Sequence, residues 1–115
     1  MTREQFIAEY AAGRRDFTKL DIGDRIDLSD VNLSGADFSE CWLEASFDNA
    51  DLSNARLTKA NLKCSSFVNA KLTGADFRGS ALCAADFTGA VFDGAMFEDA
   101  YMYGYTFAKD EQPVA

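Results

Sequence analysis

From Ala50 to Phe97 the chain repeats a five-residue unit almost without interruption: ADLSN ARLTK ANLKC SSFVN AKLTG ADFRG SALCA ADFTG AVFDG AMF. Each unit carries a small residue, a usually polar residue, Leu or Phe, and two more. A period of five suits neither regular element. On an α-helix, five residues overshoot one turn by about 140°, so the large apolar residues would spiral around and form no face. In a flat strand an odd period sends successive Leu and Phe to opposite faces. A short extended piece followed by a corner, every five residues, buries them all. The small residue and the Leu/Phe are two apart and point inward together, and the polar residue between them points out. Four corners close a square coil of about twenty residues, and coils stack at the β-spacing of about 4.8 Å.

If a coil is four units, large residues about twenty apart should fall into columns, and they do. One side reads Leu28, Phe47, Phe67, Phe87, Phe107 and the next Leu33, Leu52, Leu72, Phe92. The third reads Phe17, Phe38, Leu57, Phe77, Phe97, and the fourth Ile22, Leu43, Leu62, Leu82, Met102. These columns form the expected stacked core of a solenoid whose coils each pack on their neighbours. With these repeats the chain resembles the pentapeptide-repeat family, whose motif is A(D/N)Lxx. The likeness covers roughly residues 15 to 109. It implies an all-β fold, a right-handed quadrilateral parallel β-helix, of about four coils. The fold itself is compatible with many roles.

Three segments are expected: a capping helix over 1–14, the β-helix over 15–109 and a flexible tail over 110–115. Thr2 and Gln5 fit a capping box, and Gly13 fits a C-terminal stop. Phe6, Ile7 and Tyr10 should cover the first coil, because a solenoid's end otherwise exposes its stacked core. Residues 15–24 form two sides of an incomplete first coil. Arg25 is one residue too many and CWLE (41–44) is one too few, which predicts an enlarged and a tightened corner. Gly or Asn at the fifth position suits a type II turn, whose third residue has positive φ. Asp30, Glu40, Lys59, Cys64, Ala84 and Asp99 stand at other corners, where type I or irregular turns are expected at several. Asp37, Arg56 and Asp76 should form an outward column of alternating charge.

The net charge of −8 is unevenly distributed. Residues 26–44 carry five acids and no cation, and 85–104 carry four acids and no cation. The two coils between them each come to +1 through Arg56, Lys59, Lys63, Lys71 and Arg78. Few cations beside acidic coils argue against nucleic-acid binding. Apolar runs fall short of membrane-spanning length. Three cysteines and no apolar segment after the N-terminal basic residues predict a reducing, cytoplasmic setting with no secretory signal. Cys64 and Cys83, on neighbouring coils, are expected as free thiols.

The chemistry of catalysis is missing. There is no histidine, the commonest general base and metal ligand at neutral pH. Three cysteines without a CxxC spacing make no metal site, and nucleotide motifs are absent. No cofactor, metal or catalytic residue is expected. The candidate contacts are instead with a protein. Trp42 occupies an outward slot usually held by Asp or Asn. In the last coil Val91, Met96 and Tyr101 replace those polar residues, and Tyr103 and Tyr105 add aromatics. An apolar, open C-terminal edge is normally covered or paired: either the tail folds over it, or two chains meet there in a two-fold dimer, which is favoured. The expected function is a non-catalytic interaction scaffold whose faces or C-terminal end bind a partner of unknown identity. The family resemblance implies an alternative, a DNA mimic acting on a topoisomerase, as in quinolone-resistance members. The short rod and the interrupting Arg56, Lys59, Lys63, Lys71 and Arg78 weaken it.

Overall fold

The computed structural model describes residues 1–114; Ala115, the last residue of the expected tail, lies outside the described residues. The chain is built of helix α1 (Arg3–Ala11) followed by a stack of short extended pieces. Each piece pairs in parallel with the piece one coil further on: Ser46 with Ser66, Asp51 with Lys71, Arg56 with Asp76, Asn61 with Ala81. Four pieces per twenty residues make the coil four-sided. Most sides hold a single pairing residue. Regular strand is reached only at β1 (Ile26–Asp27) and β2 (Ala45–Ser46), which are parallel, and at the antiparallel pair β3 (Tyr101–Met102) and β4 (Tyr105–Thr106).

Register follows the predicted insertion and deletion. Asp16 pairs with Asp37 and Asp21 with Trp42, a step of 21; Ile26 pairs with Ala45, a step of 19. From Ser46 onward the step is 20. The inward columns fill the interior. Phe67 stacks between Phe47 at 5.1 Å and Phe87 at 4.9 Å, and Phe77 on Phe97 at 4.8 Å. Leu28, Leu33, Phe38, Leu43, Leu52, Leu57, Leu62, Leu72 and Leu82 are buried, whereas Ile22, Phe92 and Met102, nearer the ends, are half-buried.

The corners differ from expectation in one respect. Asp30, Glu40, Lys59, Cys64, Ala84 and Asp99 all take positive φ, between 54° and 64°, just as the Asn and Gly corners do. The square path demands the left-handed turn whatever residue occupies it. Each such residue costs roughly 1–2 kcal/mol outside Gly, less for Asn and Asp. The ladder offsets this: the amides of Lys59 and Cys64 donate to the carbonyls of Arg78 and Cys83 at 3.0 and 2.9 Å. The outward acids also do more than face water. The Oδ1 atoms of Asp16, Asp27, Asp37, Asp51, Asp76 and Asp86 each accept the backbone N–H two residues on, tying down the next corner. Asn32 and Asn61 do the same, so Asp and Asn share the slot because both supply that acceptor.

The N-terminal end is closed by α1, with the Thr2–Gln5 capping box formed and Gly13 at φ 105° beyond its C-cap. The first coil has only its third and fourth sides, and the helix occupies the place of the other two. Phe6 is fully buried against Phe17 and Phe38, at ring distances of 5.3 and 6.1 Å. The Arg3 guanidinium donates to the carbonyls of Asp27 and Ser29, and the Tyr10 hydroxyl to that of Ser34. Side chains thus replace the missing coil's hydrogen bonds. Ile7 does not join them; it is 41% exposed, because the helix meets the coil along the line of Arg3, Phe6 and Tyr10.

Candidate functional site

The C-terminal end departs most from the repeat. Tyr103 and Gly104 both have positive φ, 49° and 79°, as a tight two-residue hairpin turn requires. The chain therefore reverses, and β4 runs antiparallel on β3 instead of starting another coil. Phe107 consequently leaves the first column: its ring lies 6.1 Å from Phe97, and it pairs through backbone with Asp99 and Ala100. The residues after it cross the end. Gln112 donates to the carbonyls of Phe92 and Ala95, while Glu111 accepts from the Tyr105 hydroxyl and the Ala108 amide. The hydrogen bond to Tyr105 lowers the Glu111 pKa, and the same bond raises that of Tyr105. The tail thus covers part of the end.

Cover is incomplete on the first two sides. In earlier coils the equivalent amides donate to the next coil, but those of Ala84, Phe87, Gly89, Phe92, Gly94 and Phe97 have no hydrogen-bond partner among the described residues. A cleft of about 510 Å³ opens there between Ala85–Thr88, Met102 and residues 111–114.

The exposed apolar candidates do not form one patch. Val91, Met96 and Tyr101 lie on the second, third and fourth sides, where they pair with Lys71, Asp76 and Ala81. Tyr103 (73% exposed) and Tyr105 stand on the hairpin. Trp42, 62% exposed, stands on the fourth side in the ladder Asp21–Trp42–Asn61–Ala81–Tyr101.

The shortened corner beside Trp42 holds a feature the sequence reading missed. Regular corners close by a bond from the amide of the next small residue to the inward Leu or Phe carbonyl three positions before it, as from Ala50 to Phe47. Only Glu44 separates Leu43 from Ala45, so that bond cannot form. Buried Ser65, one coil on, supplies the substitute: its hydroxyl accepts from the Ala45 amide at 3.1 Å and donates to the Leu43 carbonyl at 3.0 Å. Arg25 spans the outside of the same corner, donating to the Cys64 carbonyl at 2.9 Å and pairing with Glu44 at 3.4 Å. A Ser in a slot otherwise mostly Ala, opposite a missing residue, was the available signal.

Five ion pairs form among the described residues, each with an arginine. Arg56 sits 3.8 Å from Asp37, but Asp76 is held by the Nε and one Nη of Arg78 rather than by Arg56. Burial raises the Asp76 pKa, and hydrogen bonds and charge from Arg78, with the Arg56 charge, more than reverse this. Cys41 is buried, which pushes its thiol pKa up, and its Sγ donates to the Phe17 carbonyl. Cys64 and Cys83 are free thiols. Among the described residues no group of His, Cys, Asp and Glu could hold a metal ion, and no helix is long and apolar enough to cross a membrane.

The chain belongs to the pentapeptide-repeat family, whose profile matches eight copies over residues 24–46, 43–79 and 70–104. Among solved structures it is similar to alr5209, a pentapeptide repeat protein from Nostoc, at 32% identity and a TM-score of 0.54, over 96% of this chain and 88% of that one. It is also similar to a thylakoid-lumen pentapeptide repeat protein of Arabidopsis thaliana, at 27% identity and a TM-score of 0.62, over 78% and 67% of the two chains. Full-length QnrB1, a plasmid-mediated fluoroquinolone resistance protein, shares the fold at 22% identity and a TM-score of 0.56, over 73% and 59%. No curated protein sequence matches the chain.

Proposed function

We propose that the chain is a non-catalytic scaffold that binds a protein partner through the faces of its β-helix or its C-terminal end. The helix is taken as right-handed, of about four coils, working in the reducing cytoplasm. One observation carries this reading. The interior is filled by stacked Phe and Leu, while Val91, Met96, Tyr101, Tyr103 and Tyr105 are exposed around the last coil and its hairpin and Trp42 on the fourth side, with Ile7 exposed at the opposite end. Aromatic groups in that situation are typical of binding surfaces. The amides of Phe87, Gly89, Phe92 and Gly94, unpaired among the described residues, further support pairing of two chains end to end.

Light scattering of the purified chain, together with capture of partners from its native cell, tests the proposal. Val91→Asp/Met96→Asp/Tyr101→Asp should keep the fold and lose the dimer or partner. Retention of every contact by that variant and by Trp42→Ala would refute it. Action on a topoisomerase is not proposed: the likeness to QnrB1 carries the fold alone. The long dimension of 36 Å would match only about one turn of B-DNA.

A further inference from the structure

The C-terminal end of the solenoid is stepped. On the fourth side the chain turns back on itself: β4 pairs with β3, and Phe107 bonds to Asp99 and Ala100 at the corner before it. Lys109 and Asp110 lie against the third side, beside Met96 and Phe97. On the first and second sides, residues 85–94, main-chain pairing stops. The amides of Phe87, Gly89, Phe92 and Gly94 have no main-chain acceptor, and the carbonyls of Ala85 and Ala90 no main-chain donor, among the described residues. An open edge of this kind is a template for another chain.

Two coils earlier the equivalent six groups are filled, and they show what fits. Residues 65–74 lie on residues 45–54. The amides of Phe47, Asn49, Leu52 and Asn54 donate to the carbonyls of Ser66, Val68, Lys71 and Thr73. The amides of Ser66 and Lys71 donate back to Ala45 and Ala50, and all six bonds measure 2.7–2.9 Å. The occupant is thus a parallel, extended ten-residue segment with a left-handed corner at Asn69 (φ 57°), whose Phe67 ring stacks on Phe47 at 5.1 Å.

Over residues 85–94 the chain's own continuation cannot do the same. Twenty positions on from Ala85 and Ala90, Tyr105 and Asp110 fall in slots for small residues, and Gln112 falls in the slot for Leu or Phe after Phe92. The tail bonds to this end through a side chain, from Gln112 to the Phe92 and Ala95 carbonyls. Phe92 is left half-buried where Leu52 and Leu72 of its column are fully buried. The cleft of about 510 Å³ beside Phe87, between Met102, Tyr105 and the tail, stays open. The two-unit segments of a second copy are already built into its own coils.

We propose that the first and second sides of this end take up an extended segment of a partner protein carrying two successive five-residue units: small, polar, Leu or Phe, any residue, then Gly or Asn. The segment adds in parallel as the missing half-coil. Its large residues stack on Phe87 and Phe92, its small residues on Ala85 and Ala90, and the tail swings off Phe92. Main-chain bonds supply affinity and the inward side chains selection. This occupant rests on the scaffold reading, in which an end-to-end pair of chains is its competitor for the same groups.

The probe is the end-blocked peptide SSFVNAKLTG, the sequence of residues 65–74. It is titrated into the isotope-labelled full chain and followed by amide shifts and hydrogen exchange. The amides of Phe87, Gly89, Phe92 and Gly94 should shift together and, at saturation, exchange about tenfold more slowly or better. Scrambling the same ten residues, or N-methylating the two probe amides that face Ala85 and Ala90, should weaken binding about tenfold. Gln112→Ala, which frees the tail, should tighten it. Equal binding of probe and scrambled peptide, none below roughly 1 mM, or shifts confined to other sides overturns the proposal. So does a free chain that scatters light as a dimer with those four amides already protected, which assigns the end to a second copy. A cellular partner that excess probe fails to release would refute this surface and leave the scaffold function standing.

Discussion

Replacing Ser65 by Ala should damage the fold far more than its size implies. The substitution restores the residue most common in that slot and removes one oxygen, so a sequence average would rate it harmless. In the structure the hydroxyl is the sole bridge between the Ala45 amide and the Leu43 carbonyl, on residues at most 1% exposed. Each buried group left unpaired costs about 1–3 kcal/mol, so the loss should total about 2–5 kcal/mol. Ser80 is the internal control. It is equally buried, and its hydroxyl donates only to the Phe77 carbonyl, which keeps the Ser80 amide as a second donor. Ser80→Ala should therefore cost only about 0.5–1.5 kcal/mol. Urea unfolding followed by circular dichroism separates them. With a slope near 2 kcal/mol/M, the Ser65→Ala midpoint should fall by roughly 1–2 M and that of Ser80→Ala by well under half as much. Equal midpoints for the two variants would refute the assignment of Ser65 as the replacement for the missing corner bond.

Phe67→Ala removes the middle ring of the Phe47–Phe67–Phe87 stack and should cost about 3–5 kcal/mol by the same assay. Phe92→Ala, at the half-buried end, should cost distinctly less. Stability should fall in acid. Hydrogen bonds from Thr18, Ser29 and Thr88 hold Asp16, Asp27 and Asp86 below the ordinary carboxylate pKa, so their contribution is complete above the unfolded value of about 3.9 and is lost as pH drops through the lowered folded values. Asp27→Asn/Asp86→Asn keeps both turn acceptors but removes their charge, so it should flatten that acid limb and lower stability at neutral pH only by the charge-dependent part of those bonds. Gly35→Ala and Gly89→Ala both place a Cβ at φ +72°, but only the second drives it into the Asn69 side-chain oxygen. Chemical denaturation should show Gly35→Ala losing about 1–2 kcal/mol and Gly89→Ala more.

Much of the architecture could be read along the chain because a five-residue period permits few solutions. The columns from Leu28 to Phe87 and from Phe38 to Phe97, and the register slips at Arg25 and 41–44, follow from counting alone. Corner residues misled because propensity was weighed one residue at a time. Lys59 or Ala84 would not choose positive φ alone, but stacking between fixed coils imposes it. Ile7 misled for a related reason: helical periodicity places it beside Phe6 without saying which line of the helix meets the coil. The candidate contacts were legible as residue types out of place. Counting also placed them: Val91, Met96 and Tyr101 precede Phe92, Phe97 and Met102 of three different columns, and they stand on three different sides, with Trp42 on the side of Tyr101.

The sequence by itself determined the repeat, the four-sided coil and the stacked Phe and Leu core, because burial of one large residue in every five admits little else. Only the tertiary structure decided how the irregular places are resolved. Ser65 completes a corner a coil away, Arg3 and Tyr10 stand in for strands the chain never makes, and Tyr103–Gly104 turns the last segment back over its own end. These are contacts between residues distant in sequence, at positions where the local rule fails. The bonds left unmade there are satisfied by whichever groups the folded coil brings within reach.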